Sequence, residues 1–386
     1  MADVYGNSYL TISASASHSV EAGIFITPSN DTRLPCFQVS ATLPNGEEAT
    51  MTARKMERHR DLVRQSPPED SPLVKRAWTF QEHLLPTRIL QFGTYEAIWE
   101  CSGTTCCSCS VELKDAADTS LKKPFADQIS KPRLSGNDHW TLWSAIIQGY
   151  ANRSLTQSTD KLIALSGVAK RLQHTWNCQY LAGLWDNDLV RWLCWSATET
   201  AHTLSPRPIP YRAPTWSWAS IDRAVKFSRE LDQFASSQCF VETTILDIQY
   251  QPATRDTTGA IASAKLAVSG PLIPAEYIGK SPADFYMLRC GSREERFQPD
   301  IDLGPLTKPE PVYYFCILHI RVDPRDPVYR AWRLAPNLPW YKSFMPVLRK
   351  APGQASDYER IGIMEYWHNG SDSLCDGVEK STINLV

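Results

Sequence analysis

The sequence predicts an α+β protein built in three parts: a first region of mixed helix and strand, a helical Trp-rich middle segment and an antiparallel β-rich C-terminal domain. Three observations carry this reading. Eight of the 13 tryptophans lie between Trp140 and Trp218, which marks a segment with its own core. The apolar pattern there follows a helical period, whereas after Thr243 it changes to short strand-like runs separated by Pro- and Gly-rich turns. The 386 residues suit two or three domains of ordinary size. The expected boundaries are 1–113, a linker at 114–136, the Trp-rich segment at 137–222 and the β-rich domain at 223–386.

In chain order, Tyr9-Leu-Thr-Ile-Ser13 is a short β-type run. Ser66-Pro-Pro-Glu-Asp-Ser-Pro72 is a loop by its proline content. Leu73 to Leu85 reads as a helix stopped by Pro86. Arg88–Phe92 and Tyr95–Cys101 flank Gly93-Thr94 and read as a β-hairpin, with Glu96, Ile98 and Glu100 on one face of its second strand. The polar stretch 114–136, with Lys-Lys-Pro and Lys-Pro-Arg, reads as the linker. Residues 139–150, 160–174 and 181–197 read as three amphipathic helices. Ala213-Pro-Thr-Trp-Ser-Trp-Ala-Ser220 closes the middle segment, and an extended backbone there would point Trp216 and Trp218 the same way. Residues 243–251, 264–272, 312–320, 343–348 and 359–366 read as strands of an antiparallel sandwich or barrel.

Composition excludes several classes. Hydrophobic residues are 42% and charged residues 21%, which rules out a disordered chain or a coiled coil. A net charge of −2 supplies no field for nucleic acid, and no run of 18 apolar residues spans a membrane. The N-terminus has no signal-peptide pattern, and 11 cysteines, an odd count, suggest reduced thiols and a cytoplasmic location. No phosphate-loop, dinucleotide-binding, nucleophile-elbow or His-Glu-x-x-His motif occurs. The tryptophans at 140, 143, 185, 192 and 195 fall three or seven apart, a spacing that suits a core stripe better than a stacking platform.

Two places remain as candidate chemistry. On a helical wheel, Ala77, Trp78, Phe80, Leu84 and Leu85 form an apolar stripe with Gln81 inside it and Glu82 at its edge beside Trp78. Arg76, Thr79 and His83 take the other side. Glu82 is either a pocket acid or base, with Gln81 orienting a ligand, or one of two clasps tied to the hairpin. Cys101, Cys106, Cys107 and Cys109 place four thiols in nine residues. Their spacing is poor for zinc, which prefers Cys-x₂₋₄-Cys pairs, so they are weak candidates and packed thiols are the better reading.

Several segments together resemble fungal heterokaryon-incompatibility (HET) domain proteins. The most specific is Lys75-Arg-Ala-Trp-Thr-Phe-Gln-Glu-His-Leu-Leu-Pro-Thr-Arg-Ile-Leu-Gln-Phe92 with Ile98-Trp-Glu-Cys101. Met1-Ala-Asp-Val-Tyr-Gly-Asn-Ser-Tyr-Leu-Thr-Ile-Ser-Ala14, Asp160–Lys170, Tyr180-Leu-Ala-Gly-Leu-Trp185 and Arg212–Ser220 are similar to the flanking regions. The family's opening segments, a Leu-Ser-Tyr-x-Trp-Gly-type strand and a Trp-x-Asp-x-x-Cys-Ile-x-Gln-type run, do not occur. The resemblance therefore implies a partial α/β HET domain, distantly TIR-like, in an N-terminally truncated chain. It implies a protein of non-self recognition that triggers cell death through protein partners or self-association, with no resident cofactor. Because some TIR domains cleave NAD, it also implies an alternative, an enzyme using Glu82 with Arg76, Trp78 and Gln81 around it and NAD as substrate. An inactive truncated homologue is the third reading.

Overall fold

The computed structural model describes residues 1–24, 36–54, 72–93, 97–108, 120–130, 136–198, 204–234, 238–326, 329, 338–370 and 373–386. The chain forms two compact units, Met1–Asp127 and Gln128–Val386.

In the first unit, α1 (Ala2–Gly6) and β1 (Thr11–Ser13) precede a hairpin of β2 (Cys36–Thr42) and β3 (Glu48–Arg54). Then come α2 (Trp78–Leu84), β4 (Arg88–Phe92), β5 (Ala97–Cys101) and β6 (Thr105–Cys107). The hairpin expected at 88–101 forms, with Arg88 opposite Cys101 and Phe92 opposite Ala97. β1 pairs in parallel with β4, and β6 pairs antiparallel with β5, giving a sheet ordered β1-β4-β5-β6. The helix is shorter than the apolar stripe suggested. Residues 72–75 are turns, because the Thr79 hydroxyl donates to the carbonyls of Leu73 and Arg76 at 2.7 Å each and folds that stretch back before the first helical turn. The polar run read as a linker carries a helix, α3 (Lys122–Ser130).

In the second unit, α4 (Gly136–Ala151) and α5 (Ile163–Trp176) confirm two of the expected helices. The third does not form. Residues 181–197 hold β7 (Tyr180–Leu181), β8 (Leu184–Trp185), the short α6 (Leu189–Trp192) and β9 (Trp195–Ala197). Ala182 and Gly183 have φ of 54° and 95°, which no helix accommodates. A Cβ on Gly183 would meet Trp218 Nε1 at 2.7 Å, so glycine is needed for both backbone and space. Trp143 and Trp218 both donate to the Gly183 carbonyl, at 2.9 and 3.0 Å. Trp140, Trp143, Trp185, Trp192, Trp195, Trp216 and Trp218 are all buried, as the core reading required. Residues 218–220 form a single 3₁₀ turn, so the backbone carrying Trp218 is not extended.

The β-rich part contains β10 (Val225–Phe227), β11 (Cys239–Val241), β12 (Thr244–Pro252), β13 (Ile261–Lys280), β14 (Tyr286–Cys290), β15 (Arg293–Arg296), β16 (Gln298–Pro299), β17 (Glu310–Phe315), β18 (Leu318–Val322), β19 (Trp340–Lys350), β20 (Asp357–His368) and β21 (Lys380–Leu385). The pairings β19-β17-β13-β21-β20 return to β19, so five strands close into a ring. Every pairing in it is antiparallel except β20 with β21. Helical and β-rich parts share one interior. Arg360 on β20 pairs with Asp300 at 2.8 Å, donates to the carbonyls of Leu193 and Trp195, and lies 3.6 Å from the centre of the Trp195 ring. Such a buried ion pair stands because hydrogen bonds fill the remaining donors.

Candidate functional site

The expected site residues separate along α2. Gln81 is buried, Trp78 and Glu82 are half-buried, and Arg76 is exposed. The Tyr5 hydroxyl of α1 donates to the Glu82 carboxylate, and burial together with this acid raises the Tyr5 pKa. Glu82 is thus held by a side chain of the same unit.

The acid most deeply built into the first unit is Glu100, on the buried face of β5. Four groups surround it. His83 Nε2 lies 2.8 Å away, the Ser120 hydroxyl donates to it, Gln91 Nε2 approaches to 3.4 Å, and the Lys122 ammonium adds its charge. Burial by itself would raise the pKa of this carboxyl, but the charges of His83 and Lys122 and the hydrogen bonds hold it at about 2. Lys122 is buried too, and desolvation pushes its pKa down to about 8 against the pull of Glu100 and Cys101. Its ammonium donates to the carbonyls of His83 and Pro86 at 2.6 and 2.8 Å. The cluster joins the end of α2, the hairpin and the start of α3. With the Glu100 carboxylate accepting from His83, Ser120 and Gln91, and Lys122 bonded to two carbonyls, the cluster serves as a polar fastening of the first unit.

Among the described residues, Cys101, Cys106 and Cys107 are not brought together as a set of metal ligands. Cys101 and Cys106 are free thiols, and Cys107 is disulfide-bonded, which corrects the expectation of reduced thiols throughout; Cys109 lies outside the described residues.

Sequence reasoning passed over a second constellation, in the β-ring: Cys316, His319, Ser343, His368 and Cys375, all buried. Cys316 and His319 are three apart, and on an unbroken strand they would face opposite ways. Between Tyr314, opposite Val347, and Leu318, opposite Phe344, three residues face two. This one-residue bulge turns Cys316 to the side of His319. His319 stands directly opposite Ser343, and His368 stands opposite Tyr341, two residues along the same face. Cys375 comes from the turn before β21. The two sulfurs and a His319 ring nitrogen lie within 4.8 Å of one another, with Cys316 Sγ 3.5 Å from Nε2. His319 Nδ1 is 2.6 Å from Ser343 Oγ, which is 2.8 Å from His368 Nε2. The Gly370 N–H donates to His368 Nδ1 at 3.3 Å.

This chain of bonds has two settings. With Gly370 donating, His368 Nε2–H donates to Ser343, Ser343 donates to His319 Nδ1, and His319 Nε2–H points at sulfur. Reversed, His319 Nδ1–H donates to Ser343, Ser343 donates to His368 Nε2, and the His319 Nε2 lone pair faces both sulfurs. Reversal gives up one long bond, the one from Gly370, a cost of about 1 kcal/mol. A hydrogen bond from Cys316, and then His319, hold the Cys375 thiol below its ordinary range against burial, while the same bond and burial push Cys316 up. The signal in the sequence is Cys316-Ile-Leu-His319, a two-residue ligand spacing obscured by its place on a strand.

No family model, no curated protein and no solved structure matches the chain.

Proposed function

We propose that this chain is a HET-like protein of non-self recognition that drives a cell-death response by associating with other protein chains through its first unit. The supporting observation is where large apolar side chains face solvent. Met1, Val4, Tyr9, Leu10, Ile12 and Val20 are all exposed, Val20 at 93% and Tyr9 at 82%, and all fall within the first 20 residues, on either side of β1 along the chain. Scattered apolar residues are ordinary on a surface, but a cluster of them marks an interaction site. β1 is also an edge strand: among the described residues it pairs on one side alone, with β4. An open edge beside apolar side chains suits a partner chain that adds a strand of its own. The HET resemblance of Lys75–Cys101 supplies the functional class.

The test is expression in a fungal host of the intact chain and of a Val4→Lys, Ile12→Lys variant, with viability and co-purifying chains measured. Both positions are exposed, so the variant keeps its fold. Cell death with the intact chain that the variant fails to cause supports the reading. Equal viability in both cultures, or equal death, overturns it.

One observation favours a second reading, a nucleosidase-like enzyme cleaving NAD: Glu82 is a half-buried acid oriented by the Tyr5 hydroxyl. Purified chain that consumes NAD, with activity lost in Glu82→Gln, would support it. No consumption by the intact chain would remove it.

A further inference from the structure

We infer that Cys316, His319 and Cys375 form a zinc site in the β-ring, with Ser343 and His368 positioning the histidine. This site is independent of the association reading above.

The donor set fits the ion. Zinc takes thiolate sulfur at about 2.3 Å and imidazole nitrogen at about 2.0–2.1 Å in a tetrahedron. Those lengths put a sulfur and a nitrogen ligand about 3.5 Å apart and two sulfurs about 3.8 Å apart. Cys316 Sγ and His319 Nε2 are 3.5 Å apart, the edge such a tetrahedron requires. All three ligand atoms fall within 4.8 Å of one another, so the ion needs only a small inward movement of Cys375.

The surroundings fit as well. A histidine that ligates zinc through one ring nitrogen normally donates from the other to a fixed acceptor. Ser343 Oγ is that acceptor, 2.6 Å from Nδ1, and His368 Nε2 takes the serine proton in turn. Tyr341 and Tyr366 stack on the His368 ring, at 5.4 and 5.7 Å between centres, and limit its rotation. Charge also balances. Binding releases one proton from each thiol, and two thiolates neutralise the dication. A neutral centre suits residues that are 0% (Cys316), 7% (Cys375) and 9% (His319) exposed.

The consequence for the fold is a cross-link. The bulge between β17 and β18 would be tied through the ion to the turn carrying Cys375, 56 residues further on than His319. Three protein ligands leave one tetrahedral position, which water would take.

The experiment uses the full chain, purified with reductant and without chelator. Zinc content is measured directly, and the stripped protein is titrated with Co(II), whose thiolate charge-transfer absorption reports sulfur ligation. One Co(II) per chain with that absorption is expected, displaced by Zn(II). Cys375→Ser should reduce the absorption to about half, as one of two thiolates is lost. Ser343→Ala keeps all three ligands and should keep the spectrum, with metal affinity reduced about 10–100-fold. The paired variant Cys101→Ser, Cys106→Ser should bind as the parent does. The inference is overturned if the intact chain takes up no stoichiometric Co(II), if Cys375→Ser leaves the absorption unchanged, or if the paired first-unit variant removes it. Finding Cys316 and Cys375 joined as a disulfide by peptide mapping after purification with reductant would also overturn it.

Discussion

The two units secure their interiors by different means. The first unit relies on a buried carboxylate, Glu100, with His83, Ser120 and Lys122 arranged around it. The second relies on seven buried indoles among α4, β8, α6, β9 and the 214–220 turn. Indole packing is broad, and the loss of one contact is shared among neighbours. A carboxylate network is concentrated, and its members stand or fall together. The difference teaches where each unit is vulnerable, to charge in one and to shape in the other.

The largest expected break is therefore Glu100→Ala. It leaves Lys122 buried without its counter-charge and should destabilise the first unit by about 3–5 kcal/mol. Urea unfolding followed by amide exchange on α2 and the hairpin would measure it, and a loss below about 1 kcal/mol would refute the idea of a concentrated fastening. Acid comes next. The Glu100 pKa is held at about 2 when folded against an unfolded value of about 4.3, so the unfolded chain binds the extra proton between those values. That contribution, about 3 kcal/mol, is complete above pH 4.3 and is lost as pH falls towards 2. Exchange protection in the first unit should decline in that window. Lys122 acts in the opposite direction: its pKa is depressed to about 8, so its buried charge opposes folding at neutral pH and that opposition relaxes as pH rises above 8.

In the second unit the sharpest test is Gly183→Ala. A methyl group 2.7 Å from Trp218 Nε1, on a residue at φ 95°, should cost about 2–3 kcal/mol, mostly in the Trp core and little in the first unit. Equal stability would mean that the indoles yield more readily than their close packing implies. The smallest effect should be Glu82→Ala, which removes the acceptor for Tyr5 on a half-buried surface and should change stability by about 1 kcal/mol.

The sequence reading succeeded where period and burial agree. Residues 343–348 and 359–366 read as short runs between turn signals and are strands, and the Trp stripe is core. It failed where one pattern has two geometric origins. Trp185, Trp192 and Trp195 keep helical spacing, yet a β-turn at Ala182-Gly183 and a short helix deliver them to the same core. Glu100 shares a strand face with Glu96 in the sequence, and such a face ordinarily lies in water; His83 from α2, with Ser120 and Lys122 arriving from a stretch read as linker, makes burial tolerable. The Cys316–His319 pair was invisible because its side chains converge through a bulge, and a bulge depends on how two distant strands are matched. Glu82 was legible as a half-buried acid, but its partner Tyr5 is 77 residues away.

The closed ring of strands carries a consequence for synthesis. β21 bridges β13 and β20, and the Val386 carbonyl accepts from Thr215 N–H while its own N–H donates to Tyr358. The ring can therefore close only after residues 380–386 have left the ribosome. Until then β13 offers an unpaired edge from Leu266 to Pro271 to every nascent chain nearby. Translation speed and chaperone access over that interval, more than final stability, would then govern how much of this protein reaches its native state in a crowded cell.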